Sequence, residues 1–246
     1  MAVQTQTSSL TKRQRSVKLG TRAGQIIGEI VKYVLLIVLA ASFILPLYWM
    51  VVSALKSDAQ VYTIPPIWIP RPAHWENFAE GWNLYDYNRY LANTVFRYAI
   101  PITLATTFSS AFVAYGFSRI KWRGREIFFA ILLATMMIPG QVTIVPLFII
   151  FRRLNWIDTY RPLVVPALFG TAWNIFLMRQ FFKGIPTELS EAAYIDGASE
   201  FTVLFRVILP LSKPVLTVVA LFSFMGAWND YFGPLIYISH RENFPI

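Results

Sequence analysis

The feature that most limits this chain is a set of five long apolar runs, at residues 31–52, 91–117, 127–151, 163–182 and 211–238. A helix rises about 1.5 Å per residue, so about 20 residues cross a hydrocarbon core of about 30 Å. Lipid offers no partner to a free backbone group, so apolar runs of this length span as helices. The composition agrees, with 56% of the 246 residues hydrophobic and 14% charged, too apolar for a soluble domain of this size. The expectation is an all-α, multi-pass protein with five spans in a lipid bilayer.

Several runs carry breaks. Pro46 lies near the outer end of the first, and Pro139-Gly140-Gln141 interrupts the third near its midpoint, with Pro146 beyond. The fourth holds Pro166, Gly170 and Asn174, and the fifth holds Trp228-Asn229-Asp230-Tyr231 and Pro234. Arg97 sits about two turns inside the second run, close enough to the outer end to snorkel.

The basic residues set an orientation. Fourteen Lys and Arg fall in the N-terminal stretch, the loop at 118–125 and the segment 179–213, against seven in the alternate loops. Such an excess marks the cytoplasmic side, which puts the N-terminus and residues 184–207 inside the cell and residue 246 outside. The same distribution explains the net charge of +9 without a nucleic-acid partner, because the charges sit between spans. Residues 1–28 form a basic cytoplasmic tail, unordered through residue 22, and 29–246 the membrane domain. The proline- and aromatic-rich stretch 56–90 reads as an interfacial belt or as a docking surface for an external protein.

Reactive chemistry is missing. The chain has no cysteine and only His74 and His240, so thiolate chemistry, disulfides and a histidine metal cluster are excluded. It contains no G-x-x-x-x-G-K-[ST], G-x-S-x-G or H-E-x-x-H. No catalytic constellation, metal site or cofactor is expected, which favours a pathway that borrows its energy. Two stretches offer polar groups at membrane depth: Gln141, with Thr143 and the carbonyls freed by Pro139 and Pro146, and Trp228, Asn229 and Asp230. They either line a polar path or hold helices together.

Between the fourth and fifth runs lies a polar segment with the marks of two short helices. Pro186 and Thr187 suit a helix start, with Thr187 as N-cap. Glu188 and Glu191 follow in the first turn, favoured by the helix dipole. Leu189, Ala192 and Ala193 make a small apolar face, and Asp196-Gly197 ends the helix with glycine available for the left-handed position. A second helix begins at Ser199-Glu200 and runs to Pro210.

The spacing within that segment resembles the EAA motif of ABC-importer permeases: Glu191-Ala192-Ala193, three residues, Gly197, nine residues, then Val207-Ile208-Leu209-Pro210, with Val207 where isoleucine is usual. Other stretches are similar to the carbohydrate-uptake branch of that superfamily, of the maltose-transporter type. They are Leu91-Ala92-Asn93-Thr94, the basic loop with Arg119 and Arg123-Gly124, the prolines 139 and 146, and Ala227-Trp228-Asn229-Asp230-Tyr231. The resemblance implies a type I ABC importer transmembrane domain, with 184–207 as the segment that docks on a cytoplasmic ATPase through Glu188, Glu191, Ala192, Ala193, Asp196 and Gly197. It further implies a second homologous permease, two ATPase subunits and an extracytoplasmic sugar-binding protein in a prokaryotic plasma membrane. ATP hydrolysis would sit on the ATPase, not here. Such permeases carry roughly one more span after the fifth, so a sixth is expected beyond residue 246. A peptide or amino-acid importer is the alternative, against which Trp228-Asn229-Asp230 argues.

Overall fold

The computed structural model describes the backbone from Val3 to Ile246 and side chains from Gly24 onward. Among the described residues every regular element is helical. The chain forms two compact units, residues 1–85 and 86–246.

The first unit is built on α1 (Val3–Ala54). The stretch expected to be unordered is instead helical backbone continuous with the first span; the side chains of its basic residues lie outside the described residues. From Gly24 to Ala54 the helix is long and apolar enough to cross a membrane. Its large side chains, such as Ile37 and Phe43, are exposed around the helix, as lipid-facing residues are. The proline-rich stretch then folds back over the end of α1. Asn77 Nδ2 donates to the carbonyls of Ala54 and Lys56, each at 2.9 Å, satisfying acceptors that a helix end leaves free. Tyr48 donates to the Trp68 carbonyl at 2.6 Å, and buried Lys56 lies 4.0 Å above the Trp49 ring.

The second unit is organised by α2 (Tyr87–Ser118), α5 (Ala172–Gly184) and α8 (Lys213–Trp228). Between them run α3 (Arg125–Thr135), α4 (Gly140–Arg153), α6 (Glu188–Ile195) and α7 (Glu200–Leu211), and α9 (Phe232–Tyr237) follows. Ala111 and Ala114 on α2 let α5 come close, and Tyr115, Ile175, Met178, Phe182, Ile208 and Val219 fill the core. Gly170, between a 3₁₀ turn and α5, has φ +74°, and a Cβ there would stand 3.0 Å from Ser110 Oγ and 3.3 Å from Ser110 Cα. Glycine is thus required both for its left-handed backbone and for the approach to α2.

Among the described residues three helices are long and apolar enough to span, and five spans result if each of two bent pairs counts as one. The third run is not one straight helix: α3 and α4 meet at 95°. Proline disfavours helical backbone in the residue before it and cannot donate to the preceding turn, so the helix stops at Thr135 and restarts after Pro139. The fifth run also differs from a single span. The α8 helix ends at Trp228, Asn229 to Tyr231 lie outside helix, and α7 joins α8 at 80°.

Polar ties hold both ends of this unit. At the end carrying α6, the side chain of Arg179 is 4% exposed. Its Nε donates to the Phe117 carbonyl at 3.0 Å, its Nη2 to both Glu126 oxygens at 2.9 and 2.7 Å, and the guanidinium stacks 3.8 Å over Phe129. Arg119 donates to the carbonyls of Phe182 and Ile185 at the end of α5. At the other end residues 239–246 are strapped down. Asp158 accepts from the backbone N–H groups of Ser239 and His240 at 2.9 and 2.8 Å and contacts the His240 ring. Asn93 donates to the carbonyls of Glu242 and Phe244, and Thr94 accepts from Ile246 N at 2.7 Å. Arg97, expected to snorkel, bonds Asn93 and Asn243 and lies 5.7 Å from the Tyr160 ring.

Two outcomes test these ties. Because Glu126 is exposed, the ion pair itself is screened and the carbonyl contact and ring stacking matter more. Arg179→Met keeps bulk but removes the charge-assisted bond to Phe117, which costs on the order of 2 kcal/mol. The purified protein should show a lower unfolding midpoint, with a smaller loss for Glu126→Gln; an unchanged midpoint for Arg179→Met contradicts the tie. For Asp158, the His240 backbone N–H first, then that of Ser239, holds the carboxyl below its ordinary value. The stabilisation is therefore full above the unfolded carboxylate value of about 3.9 and fades as pH falls through the lower folded value. Amide exchange at Ser239 and His240 should accelerate below that window in the native chain and be fast at every pH in Asp158→Ala. Exchange at these amides that ignores both pH and the substitution would contradict the strap.

Candidate coupling segment and translocation groove

The turn between α6 and α7 is made by backbone chemistry. Gly197 N bonds the Tyr194 carbonyl at 3.0 Å and Ala198 N bonds the Ala193 carbonyl at 2.9 Å, the paired bonds of a Schellman ending. Gly197 supplies the φ of +79° this needs, and open space surrounds it. Asp196 is the C-cap residue of α6. Ser199 then caps α7, its side chain accepting from Thr202 N at 3.3 Å. At the other end of α6 the expected cap is not made. Thr187 has helical backbone and no side-chain cap bond, and only its carbonyl serves, accepting from Ser190 N and Glu191 N.

Glu188 and Glu191 occupy the first turn of α6, exposed. The two alanines face different ways. Ala192 is exposed, whereas Ala193 is half-buried and packs on the core. The outward apolar strip is Leu189, Ala192 and Ile195, with Ile195 87% exposed and Phe201 beyond the turn 69% exposed. Glu200 hangs this segment from the core: its carboxylate accepts from Tyr115 of α2 and, at 2.8 Å, from Tyr194 of α6. Burial, and the Glu200 carboxylate after it, push the Tyr194 phenol above its ordinary value against the opposing Tyr115 contact, so Tyr194 stays a donor. Sequence reasoning missed this cluster because Tyr115 lies 85 residues from Glu200 and because the Tyr194–Glu200 contact crosses the turn between two helices. The one usable signal was a tyrosine in an apolar run, whose hydroxyl requires a partner.

Two cavities meet at Asp230, just past the end of α8. One, of about 440 Å³, is lined by Trp228, Asn229 and Asp230 together with Tyr231, Pro234 and Phe244. The other, a groove of about 490 Å³ between α2, α5 and α8, is lined by Tyr98, Thr106, Trp173, Asn174, Ser223 and Asp230 among others. Asn229 Nδ2 turns back to the Met225 carbonyl at 2.7 Å. Asp230 accepts from the buried Tyr98 hydroxyl and, at 3.0 Å, from Gly233 N, so it also seats the start of α9. Gln141 lies in the first turn of α4, exposed and outside the lining of both cavities. The sequence thus places Trp228, Asn229 and Asp230 together as the structure does, but not Tyr98, Trp173 or Asn174, which only the packing of α2 on α5 brings there. Among the described residues no group of three or more His, Cys, Asp or Glu could hold a metal.

Bent helices around a polar groove, with an exposed helix pair hung from one end, are the features of this chain that comparison with known proteins places. Residues 107–241 match the family described as binding-protein-dependent transport system inner membrane component, and the chain belongs to that family, the permeases of ABC transporters. It is 34% identical over 217 residues to the sn-glycerol-3-phosphate transport system permease protein UgpE of Yersinia enterocolitica, covering 86% of this chain and 76% of that one. It is 29% identical over 208 residues to the diacetylchitobiose uptake system permease protein NgcG of Streptomyces coelicolor, covering 83% and 68%. A solved bacterial ABC transporter involved in import of the acidic polysaccharide alginate contains a similar chain, with 29% identity and TM-score 0.79 over 91% of this chain and 78% of that one.

The Gly197 turn generates a graded outcome. Gly197→Val forces a β-branched residue into left-handed backbone at about 1–2 kcal/mol, whereas Gly197→Asn is tolerated there. The Ala198 amide should exchange faster in Gly197→Val and near the native rate in Gly197→Asn. Equal rates in the two variants would mean that the turn does not depend on its backbone conformation.

Proposed function

We propose that this chain is the permease subunit of an ATP-driven carbohydrate importer, forming half of the translocation path and coupling it to a cytoplasmic ATPase through residues 184–207. The observation that carries the reading is the exposed α6–turn–α7 unit, whose outward face combines Glu188, Glu191 and Ala192 with the apolar Leu189 and Ile195. A small, flat apolar strip flanked by carboxylates suits a cleft on another protein that ends in a basic residue. Glu191 pairs with that basic residue, Ala192 enters the cleft, and Ala193, Asp196 and Gly197 hold the helix at the angle it needs. The tie from Glu200 to Tyr115 gives the segment a rigid hold on α2, so closure of two ATPase subunits moves the spans and turns the gate.

The partners are a second homologous permease, two ATPase subunits and an extracytoplasmic sugar-binding protein. The names of the relatives support a carbohydrate cargo: one serves diacetylchitobiose uptake and another alginate import. The excess of Lys and Arg supports a cytoplasmic N-terminus and coupling segment in a prokaryotic plasma membrane. ATP is hydrolysed on the ATPase, and this chain carries no reaction. Within the path, Trp228, Asn229 and Asp230 line the passage, and Gln141 lines a separate part of it.

The test is co-purification. The native chain should bring down its ATPase subunit. Glu191→Ala should lose most of that ATPase while keeping the second permease. Full retention of the ATPase by Glu191→Ala would overturn the docking role of α6.

A further inference from the structure

We propose that the loop between α2 and α3 is a binding site for an anionic phospholipid, whose phosphate sits against Lys121 and Arg123 and whose chains lie along Ile127 and Phe128. Nothing in this depends on a carbohydrate cargo; it requires only that α2 spans the bilayer, which its length and apolar character allow. That helix ends at Ser118 and α3 starts at Arg125, which puts residues 119–124 at headgroup level. Gly124, with φ +88°, turns the chain into α3. Trp122 packs back on both helices. Its ring lies 5.7 Å from both Phe117 and Phe128, its Nε1 donates to the Gly116 carbonyl at 3.1 Å, and 40% of the residue stays exposed. An indole with its polar atom satisfied and part of its ring open suits a membrane interface. Ile127 and Phe128, in the first turn of α3, are 67% and 56% exposed and continue that apolar surface.

Positive charge is concentrated beside this surface. A cavity of about 330 Å³ is lined by Lys121, Trp122, Gly124, Arg125, Glu126 and Ile127. Glu126 is its one acid, and both its oxygens are taken, by Arg179 and Arg125. Lys183 of α5 acts electrostatically on the same carboxylate. Arg125, Arg179 and Lys183 thus outweigh Glu126 before Lys121 and Arg123 are added. Both of these are exposed, and among the described residues neither makes a hydrogen bond or an ion pair. Lys and Arg donate to phosphate oxygens, and their stems can lie along apolar side chains while the charged heads reach the headgroups. A zwitterionic headgroup brings its own cation into this field, so a net negative one is preferred. The exposed Ile127 and Phe128 favour a lipid over an acidic protein surface, because a lipid supplies chains beside its charge.

The experiment is native mass spectrometry of the transporter purified in mild detergent and titrated with phosphatidylglycerol or phosphatidylcholine. The native protein should hold phosphatidylglycerol and bind phosphatidylcholine weakly. Lys121→Gln combined with Arg123→Gln should weaken phosphatidylglycerol binding roughly tenfold, with the unfolding midpoint in phosphatidylcholine unchanged. Arg152→Gln combined with Arg153→Gln removes the same charge at the end of α4 and should leave the affinity within about twofold. Inorganic phosphate in excess should not displace the lipid. Equal affinity in the native protein and the Lys121→Gln, Arg123→Gln protein, or an equal loss in both paired variants, overturns the site. Displacement by inorganic phosphate overturns the lipid as occupant. Should the paired substitution at 121 and 123 shed the ATPase subunit instead of the lipid, the patch is a protein contact and the inference fails. Each of these failures leaves the importer reading standing.

Discussion

The buried guanidinium of Arg179 is the contact on which the second unit depends. A cation in a helix core is tolerated only where acceptors and an aromatic face replace its water. Here the Phe117 carbonyl, the Glu126 carboxylate and the Phe129 ring do so, and they belong to the end of α2 and to α3. One side chain on α5 thus fixes where α2 stops and where α3 begins. Arg119 makes the reciprocal tie, from just past α2 to the carbonyls that close α5. Apolar packing between helices in lipid gains little from the hydrophobic effect, so such directional bonds set the geometry.

That fixed corner gives the proposed coupling segment a firm base. The α6 helix hangs below α5 and is held to α2 through Tyr115 and Glu200. The Schellman ending at Gly197 keeps α6 and α7 at a set angle, and the 80° bend at Ser212 carries α7 into α8. The α6 helix is thus joined to α2 through a carboxylate and to α8 through a helix, the two connections that the proposed coupling role would use. Both helices line the groove around Asp230.

Local chemistry was legible in the sequence and long-range chemistry was not. Gly197 could be read because Asp-Gly after an alternating helix face requires a left-handed residue, and the structure gives φ +79°. The break at Pro139 could be read as well, though not its 95° turn, which depends on how α3 and α4 pack. Thr187 looked like a cap but its backbone is already helical, so its hydroxyl cannot reach the free N–H groups. Arg179 entered the sequence reading only as a charge in a count, and Arg119 as a charge in a basic loop. The structure shows Arg179 buried and Arg119 half-buried, both donating to carbonyls. Asp230 was read as part of a path, and it also accepts from Tyr98 and Gly233. Nothing near residue 230 announces Tyr98 as a partner.

The most direct measurement is site-directed cross-linking from the outward face of α6. The chain has no cysteine, so Ala192→Cys introduces a single thiol on an exposed, small position. In the assembled transporter a maleimide–benzophenone reagent attached at residue 192 should photocross-link to the ATPase subunit, at a yield that changes between nucleotide-free and ATP-bound states. An Ala192→Cys thiol that remains fully reactive to a soluble maleimide in the ATPase-bound complex, with no cross-link in either state, would contradict the coupling role on which the account rests.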